Sequence, residues 1–232
     1  MYENKLLKGS GIEVDFLKIY PLTIGEVTEL GEEEYQRILG LFFIDIDELG
    51  LKKTPELAEL SNFIIFSLIL QQEPEIRDQI KLGLELFTKQ EITFQNGVFY
   101  FNNEVPILED SWDKIREIVA LQNKIDFKKK EEYNPVGDKA KAFMKKRQEV
   151  LDKVKEIKSK KTDKIDFVTL VSSLSAKHPS LNLLNVWDLT YYQFYDQLER
   201  LQLIQEYEIS IQSLLAGADS KKVKLKHWIT KI

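Results

Sequence analysis

Apolar residues recur along this chain at two different periods, and the switches between them mark its elements. IEVDFLKIY puts Ile12, Val14 and Phe16 on one side at two-residue steps and stops before Pro21, which predicts one short strand or edge segment. In EEEYQRILGLFFI the apolar positions Tyr35, Ile38, Leu39, Phe42 and Phe43 are three and four residues apart, the period of a helix. Three glutamates occupy its first turn, where the helix dipole favours anions, so they need no ligand to explain them. Thr54 followed by Pro55 predicts the cap and first turn of a helix running into NFIIFSLIL, whose apolar later half is expected to be buried. Pro74 opens the next helix, with Ile76, Ile80, Leu84 and Phe87 facing inward.

The strongest local signal is EITFQ, Asn96-Gly97, VFYFN. Asn-Gly supplies the two positive-φ residues of a type I′ turn between alternating flanks, which predicts a β-hairpin over about 91–102. SWDKIREIVALQNKI returns to helical spacing, capped by Ser111 or Asp110, with Trp112, Ile115, Ile118, Val119 and Gln122 inside. FKKKEEYNPVGDKA then interrupts every pattern with charge, proline and glycine. From Asp138 to Lys161 a single stripe of Ala140, Phe143, Met144, Val150, Leu151, Val154 and Ile157 among charged residues predicts a long amphipathic helix. DFVTLVSSLSAKHP reads as a short apolar helix, followed by two more helices, from about Asn185 and from about Glu206, the second ending at Gly217. Trp228 and Ile229 are expected to anchor the last stretch.

The expected fold is therefore mainly α: a helical N-terminal part with one hairpin and one further strand, a long charged helix, and a C-terminal helical bundle. Charge sharpens the division. Residues 1–110 hold 9 basic and 21 acidic residues, residues 111–161 hold 16 and 9, and residues 162–232 hold 8 and 8. An acidic domain over 1–127, a linker over 128–137 and a basic-then-aromatic domain over 138–232 follow from that pattern. The absence of cysteine excludes disulfides, thiolate catalysis and Cys-rich zinc sites, and two histidines leave little for other metals. The start, MYENKLLKGSG, has no apolar run behind its charges, so no signal peptide is expected. The longest apolar run, Phe63 to Leu70, falls far short of the ~20 residues of a bilayer span.

Candidate chemistry is sparse. Asp45 and Asp47 in FIDIDELG have DxD spacing, but no further ligands accompany them, and a capping or turn role is the better reading. His178 precedes a proline at a helix end and His227 sits beside Trp228; for both, a cation near a helix C-terminus is simpler than catalysis. GxxxxGK[ST], GxGxxG, GxSxG and HExxH are all missing, which disfavours phosphate-cradling, esterase and zincin chemistry, and no cofactor is expected. The 138–161 stretch carries Lys145, Lys146 and Arg147 among its bases. Interleaved acids and a pI near 5.3 favour a solvated or protein-binding face there over nucleic acid. Trp187, Tyr191, Tyr192, Phe194 and Tyr195 are too dense for one helical face, so some of these rings should be core and others available to a partner.

Three stretches also carry a family resemblance. YNPVGDKAKAFMKKRQEVLDKVKE, KIDFVTLVSSLSAKHPSLNLLNVWDLTYYQFYDQLERL and SIQSLLAGADSKKVKLKHWITKI resemble a family of phage and prophage proteins of low-GC Gram-positive hosts, and KIYPLTIGEVTELGEEEYQRILGLFFID is similar to the starts of proteins from tail-morphogenesis regions. The resemblance implies a non-enzymatic tail assembly chaperone that acts in the host bacterial cytoplasm by binding the tape measure protein and recruiting tail tube subunits. Such a factor needs a groove or face that accepts an amphipathic helix. Trp187, Tyr191, Tyr192, Tyr195 and Leu198 are the candidates for that face, with Lys145, Lys146 and Arg147 as a basic rim. Self-association stays open. The competing expectations are a structural component of the tail or baseplate, and a nucleic-acid-associated factor that uses residues 138–161.

Overall fold

The computed structural model describes residues 2–47, 49, 51–54, 56–125, 166–220, 223 and 225–230. The architecture is mainly helical, with eight α-helices and two small antiparallel sheets among the described residues. The chain packs as two units, one made of Met1–Asp126 with Leu183–Ile232 and the other of Phe127–Asn182. That division runs through the 138–232 segment that the charge pattern treats as a single part.

The larger unit begins with α1 (Glu3–Lys8), which ends at left-handed Gly9, and a hairpin of β1 (Ile12–Val14) and β2 (Leu17–Ile19). The expected single strand is thus two. Asp15 takes φ of 50° at the turn, the left-handed region that aspartate tolerates better than most residues, and Phe16 is left 49% exposed rather than in line with Ile12 and Val14. Helix α2 (Ile24–Leu30) carries a complete capping box of Thr23 and Glu26. Helix α3 (Glu32–Phe42) buries Tyr35, Ile38, Leu39 and Phe42 at the spacing expected of it.

No helix starts at Thr54, and Pro55 lies outside the described residues. A 3-10 turn (Leu51–Lys53) and further turns lead instead to Ser61, whose hydroxyl accepts the Ile64 N–H and caps α4 (Asn62–Gln72). Nor is α4 buried all round: Ile65, Phe66 and Leu70 are inside, while Ile64 is 46% exposed. Helix α5 (Pro74–Thr88) uses Pro74 in its first turn and buries Ile80, Leu84 and Phe87. Strands β3 (Ile92–Gln95) and β4 (Val98–Phe101) pair across Asn96 and Gly97, at φ of 50° and 83°, as the Asn-Gly signal predicts. A short third strand, β5 (Val105–Pro106), adds to β4. Helix α6 (Glu109–Gln122) begins two residues before Ser111, without a side-chain cap, and buries all five residues of its expected inner face.

Core packing centres on α3 and α5. Gly83 lets them approach: a Cβ placed there would lie 2.5 Å from the Phe42 ring and 2.6 Å from Ile38 Cγ2. Phe42 also meets Phe87 at 5.5 Å and Trp112 at 5.3 Å between ring centres. Each fully buried side chain of this size stabilises the fold by about 1.5–3 kcal/mol.

In the smaller unit, the Asp166 carboxylate accepts the Thr169 N–H at 2.7 Å and caps α7 (Phe167–Lys177), whose buried residues are Phe167, Val171 and Leu174. His178 occupies the C-cap of α7. Its Nδ1 accepts N–H bonds from Ser180 and Leu181, so the ring closes the turn that follows. The expected helix over 138–161, including Lys145, Lys146 and Arg147, lies outside the described residues.

The two helices expected after Asn185 are a 3-10 turn (Val186–Asp188) and one continuous helix, α8 (Tyr191–Leu215). No glycine or proline falls inside Tyr191–Leu215, so nothing interrupts it near Glu206. Gly217, at φ of 91°, follows its end as expected.

Candidate functional site

The proximal half of α8 is built into the larger unit by its first residues. Thr23 and Thr190 form an isolated antiparallel bridge: the Tyr191 N–H donates to Leu22 O at 2.9 Å and the Ile24 N–H donates to Leu189 O at 2.8 Å. Each of these threonines is also the N-cap of its own helix, Thr23 with Glu26 and Thr190 with Gln193. Two helix starts are thereby fixed by one pair of extended residues. Gln193 reaches further, its Nε2 donating to Leu7 O at 2.8 Å. Burial acts to raise the Glu26 carboxyl, but its bonds from Lys89 and Thr23 outweigh burial and hold it below the usual carboxylate range.

Behind that bridge sits a tyrosine cluster. The Tyr35 hydroxyl, fully buried, donates to Asn123 Oδ1, and Asn123 Nδ2 donates to Val119 O at 2.8 Å. Tyr191 packs 5.6 Å from Tyr35 and 4.7 Å from Tyr195, and its hydroxyl accepts from Gln36 Nε2 at 3.3 Å. Burial, then the neighbouring Tyr191, pushes the Tyr35 and Tyr195 hydroxyls well above the ordinary tyrosine value. These hydroxyls are therefore neutral structural groups at physiological pH. Lys124 pairs with Glu199 and lies 5.3 Å from the Tyr192 ring centre, fastening the next turn of α8 to the end of α6.

Of the aromatic candidates for partner binding, Tyr191 is core, at 8% exposure, and so is Phe194, at 0%. Trp187, Tyr192, Tyr195 and Leu198 are half-buried around them, and the Trp187 Nε1–H donates to Leu183 O at 2.7 Å. The structure brings these residues together at the root of α8, where they join the helix to the body.

The surface better suited to a partner lies further along, beyond Arg200. Ile209 is 62% exposed and Leu215 83%, with Ile204, Tyr207, Ile211 and Leu214 half-buried on the same helix. The chain end returns to this region. Arg200 Nη1 donates to the carbonyls of Trp228 and Thr230, both at 2.9 Å, and His227 lies 5.2 Å from Tyr207. Ile229, expected as an anchor, is 66% exposed; the backbone carbonyls do the anchoring. The signal for this surface was present in the sequence as a run of apolar residues with no basic residue from Leu201 to Leu215.

Asp45 and Asp47 turn out to organise a turn. Asp45 Oδ1 accepts the Asp47 N–H at 3.0 Å, and Asp47 accepts from Asn62 Nδ2 at 3.1 Å and pairs with Lys52 at 3.3 Å. Among the described residues no three His, Asp or Glu side chains lie close enough together to hold a metal ion. A small, mostly apolar cleft beside α4 and β4, lined by Phe63, Phe66, Ser67, Leu70, Phe99 and Trp112, contains no titratable group. No helix among the described residues is long and apolar enough to cross a membrane.

This geometry defines a mainly helical protein whose last helix is rooted in the body and carries an apolar, base-free outer half. Residues 158–232, which include all of that helix, match the family model of the YomV second domain, and the match points to a phage-type protein. No curated protein and no solved structure matches the chain.

Proposed function

We propose that the protein is a non-enzymatic phage factor of tail assembly, a chaperone that binds helical segments of the tape measure protein, the tail tube proteins or both. The observation that carries this reading is the coincidence of the matched region, residues 158–232, with the exposed half of α8. Helix docking needs an aliphatic and aromatic strip with a polar rim, and Ile204, Tyr207, Ile211 and Leu215, at three- and four-residue steps, supply one on a helix whose root is held by Thr190, Tyr191 and Phe194. Action takes place in the host bacterial cytoplasm while particles form.

An assembly factor and a virion component differ in where they end up. Quantitative mass spectrometry of phage-producing cells and of the particles purified from them separates the two. The protein is expected to be abundant in the cells and depleted from the particles. Recovery in fixed proportion to the tail tube protein in purified particles would replace this reading with a structural one.

A further inference from the structure

One face of the outer half of α8 already has an occupant. Arg200, Ile204, Tyr207 and Ile211 follow one another at four-, three- and four-residue steps, so they stand in one row along the helix. All four are half-buried, whereas Gln202, Glu206, Glu208, Ile209 and Gln212, round on the other side, are exposed. What touches the row is the chain's own end. The Arg200 guanidinium donates from one nitrogen to the carbonyls of Trp228 and Thr230, both at 2.9 Å, and the His227 ring lies 5.2 Å from that of Tyr207. His227 to Thr230 is itself a turn, closed by the Thr230 N–H on His227 O at 3.1 Å. That turn spans from Tyr207 to Arg200, which are about 10 Å apart along the helix axis.

The cover is shallow. Leu225, Lys226, His227, Trp228 and Ile229 are all exposed, so no apolar side chain of the segment is buried against α8, and two carbonyls and one ring hold it there. A helix docked through an apolar stripe would gain what this turn does not, the burial of Ile204, Ile211 and Leu215, the last of which is 83% exposed. Both cannot lie on Tyr207 at once. Reach from the same chain is no obstacle. Gly217, at φ of 91°, turns the chain back at the end of α8. Residues 218–227 can span up to about 35 Å, against about 12 Å of helix axis from Leu215 back to Tyr207. We infer that residues 225–230 are an autoinhibitory strap that closes the α8 docking strip through Arg200 and Tyr207, and that a partner helix binds by displacing it. The inference rests on the helix-docking reading above and adds the regulation of that strip.

The test measures binding of one designed peptide to the full chain and to a chain ending at Lys224. The peptide has about 18 residues, long enough to hold a helix, with Leu at three- and four-residue steps and equal numbers of Lys and Glu elsewhere, so that net charge selects nothing. The apparent affinity of a closed site falls by the fraction of molecules in which it is open, so the shortened chain is expected to bind about tenfold tighter or more. Arg200→Ala, which removes the donor to both carbonyls, should tighten binding to the full chain by a comparable factor and leave the shortened chain unchanged. Ile229→Ala, at an exposed position of the strap, should leave the affinity of the full chain as it is. Circular dichroism of each variant verifies that the fold persists.

Equal affinity of the full and shortened chains would overturn the strap and leave the docking strip standing. An Arg200→Ala effect of the same size in both chains would also overturn it, because the guanidinium would then be acting on the peptide and not on the strap. A full chain that is a dimer and becomes a monomer on shortening would place the segment on a second copy and contradict a strap within one chain. If neither chain binds, or if binding to the shortened chain survives Ile211→Asp with Leu215→Asp, the strip is no helix-docking surface, and the inference falls together with the reading it rests on.

Discussion

Gly83 and Gly40 allow the same substitution to be tried at two points of the α3–α5 pair with opposite expected signs. At Gly40, on the exposed side of α3, an added Cβ would meet nothing within 4 Å. Gly40→Ala therefore keeps only the backbone benefit of replacing a helical glycine, about 0.5–1 kcal/mol of stabilisation. At Gly83 the new methyl would sit 2.5 Å from Phe42 Cε2 and 2.6 Å from Ile38 Cγ2. It would be roughly 0.9 Å short of ordinary contact with a ring that Phe87 and Trp112 already fix at 5.5 and 5.3 Å. Overpacking of this kind costs about 2–3 kcal/mol, and the helix-propensity gain of about 1 kcal/mol offsets only part of it. Gly83→Ala is thus destabilising by about 1–2 kcal/mol, and the two variants should differ by about 2–3 kcal/mol. Urea unfolding followed by circular dichroism reads that difference directly, and by thermal unfolding it corresponds to about 5–10 °C. A Gly83→Ala protein as stable as Gly40→Ala would refute the close approach of α3 and α5.

Three further outcomes follow from the root of α8. Tyr35→Phe leaves Asn123 Oδ1 buried without its donor and should cost about 1–2 kcal/mol in urea unfolding, with little change in circular dichroism. The raised Tyr35 and Tyr195 hydroxyls stabilise the fold in full below the unfolded tyrosine value of 10.0, and that stability is lost as pH rises through and beyond it; unfolding midpoints should fall between pH 9 and 11 (both about one unit from that value), and less steeply in Tyr35→Phe. Phe194→Ala removes a fully buried ring and should cost about 3–5 kcal/mol. Because residues 183–232 pack in the same unit as 1–126, the Trp112 fluorescence transition should shift with it, and an unshifted Trp112 transition would show that α8 is not part of that core.

Much of the body was readable from short-range signals. Asn96-Gly97 carries its own turn chemistry, and the inner faces of α3, α5 and α6 follow from spacing alone, because each element's burial is set by residues within a few turns of one another. The misreadings have equally local causes. Asp15-Phe16 is a turn without glycine or proline, so β1 and β2 look like one strand. Thr54-Pro55 has the chemistry of a helix start, but the apolar surface that stabilises a helix begins only after Ser61. Apolar residues around most of α8 blurred its period and suggested a break where there is none. The root of α8 was out of reach for a different reason. The Thr23–Thr190 bridge and the Tyr35–Asn123 bond join positions far apart in sequence, and no local pattern signals that Tyr191 belongs to the core while Ile209 lies outside it.

The outer half of α8 is, on this reading, where the protein meets another phage protein. Affinity capture with tagged full-length protein from phage-producing cells, at about 0.15 M salt and after nuclease treatment, tests that claim when the wild type is run beside Ile211→Asp/Leu215→Asp. The expected result is a tape measure or tail tube protein held by the wild type, resistant to nuclease, and lost from the variant. Capture that disappears with nuclease, or that the variant retains in full, would contradict it.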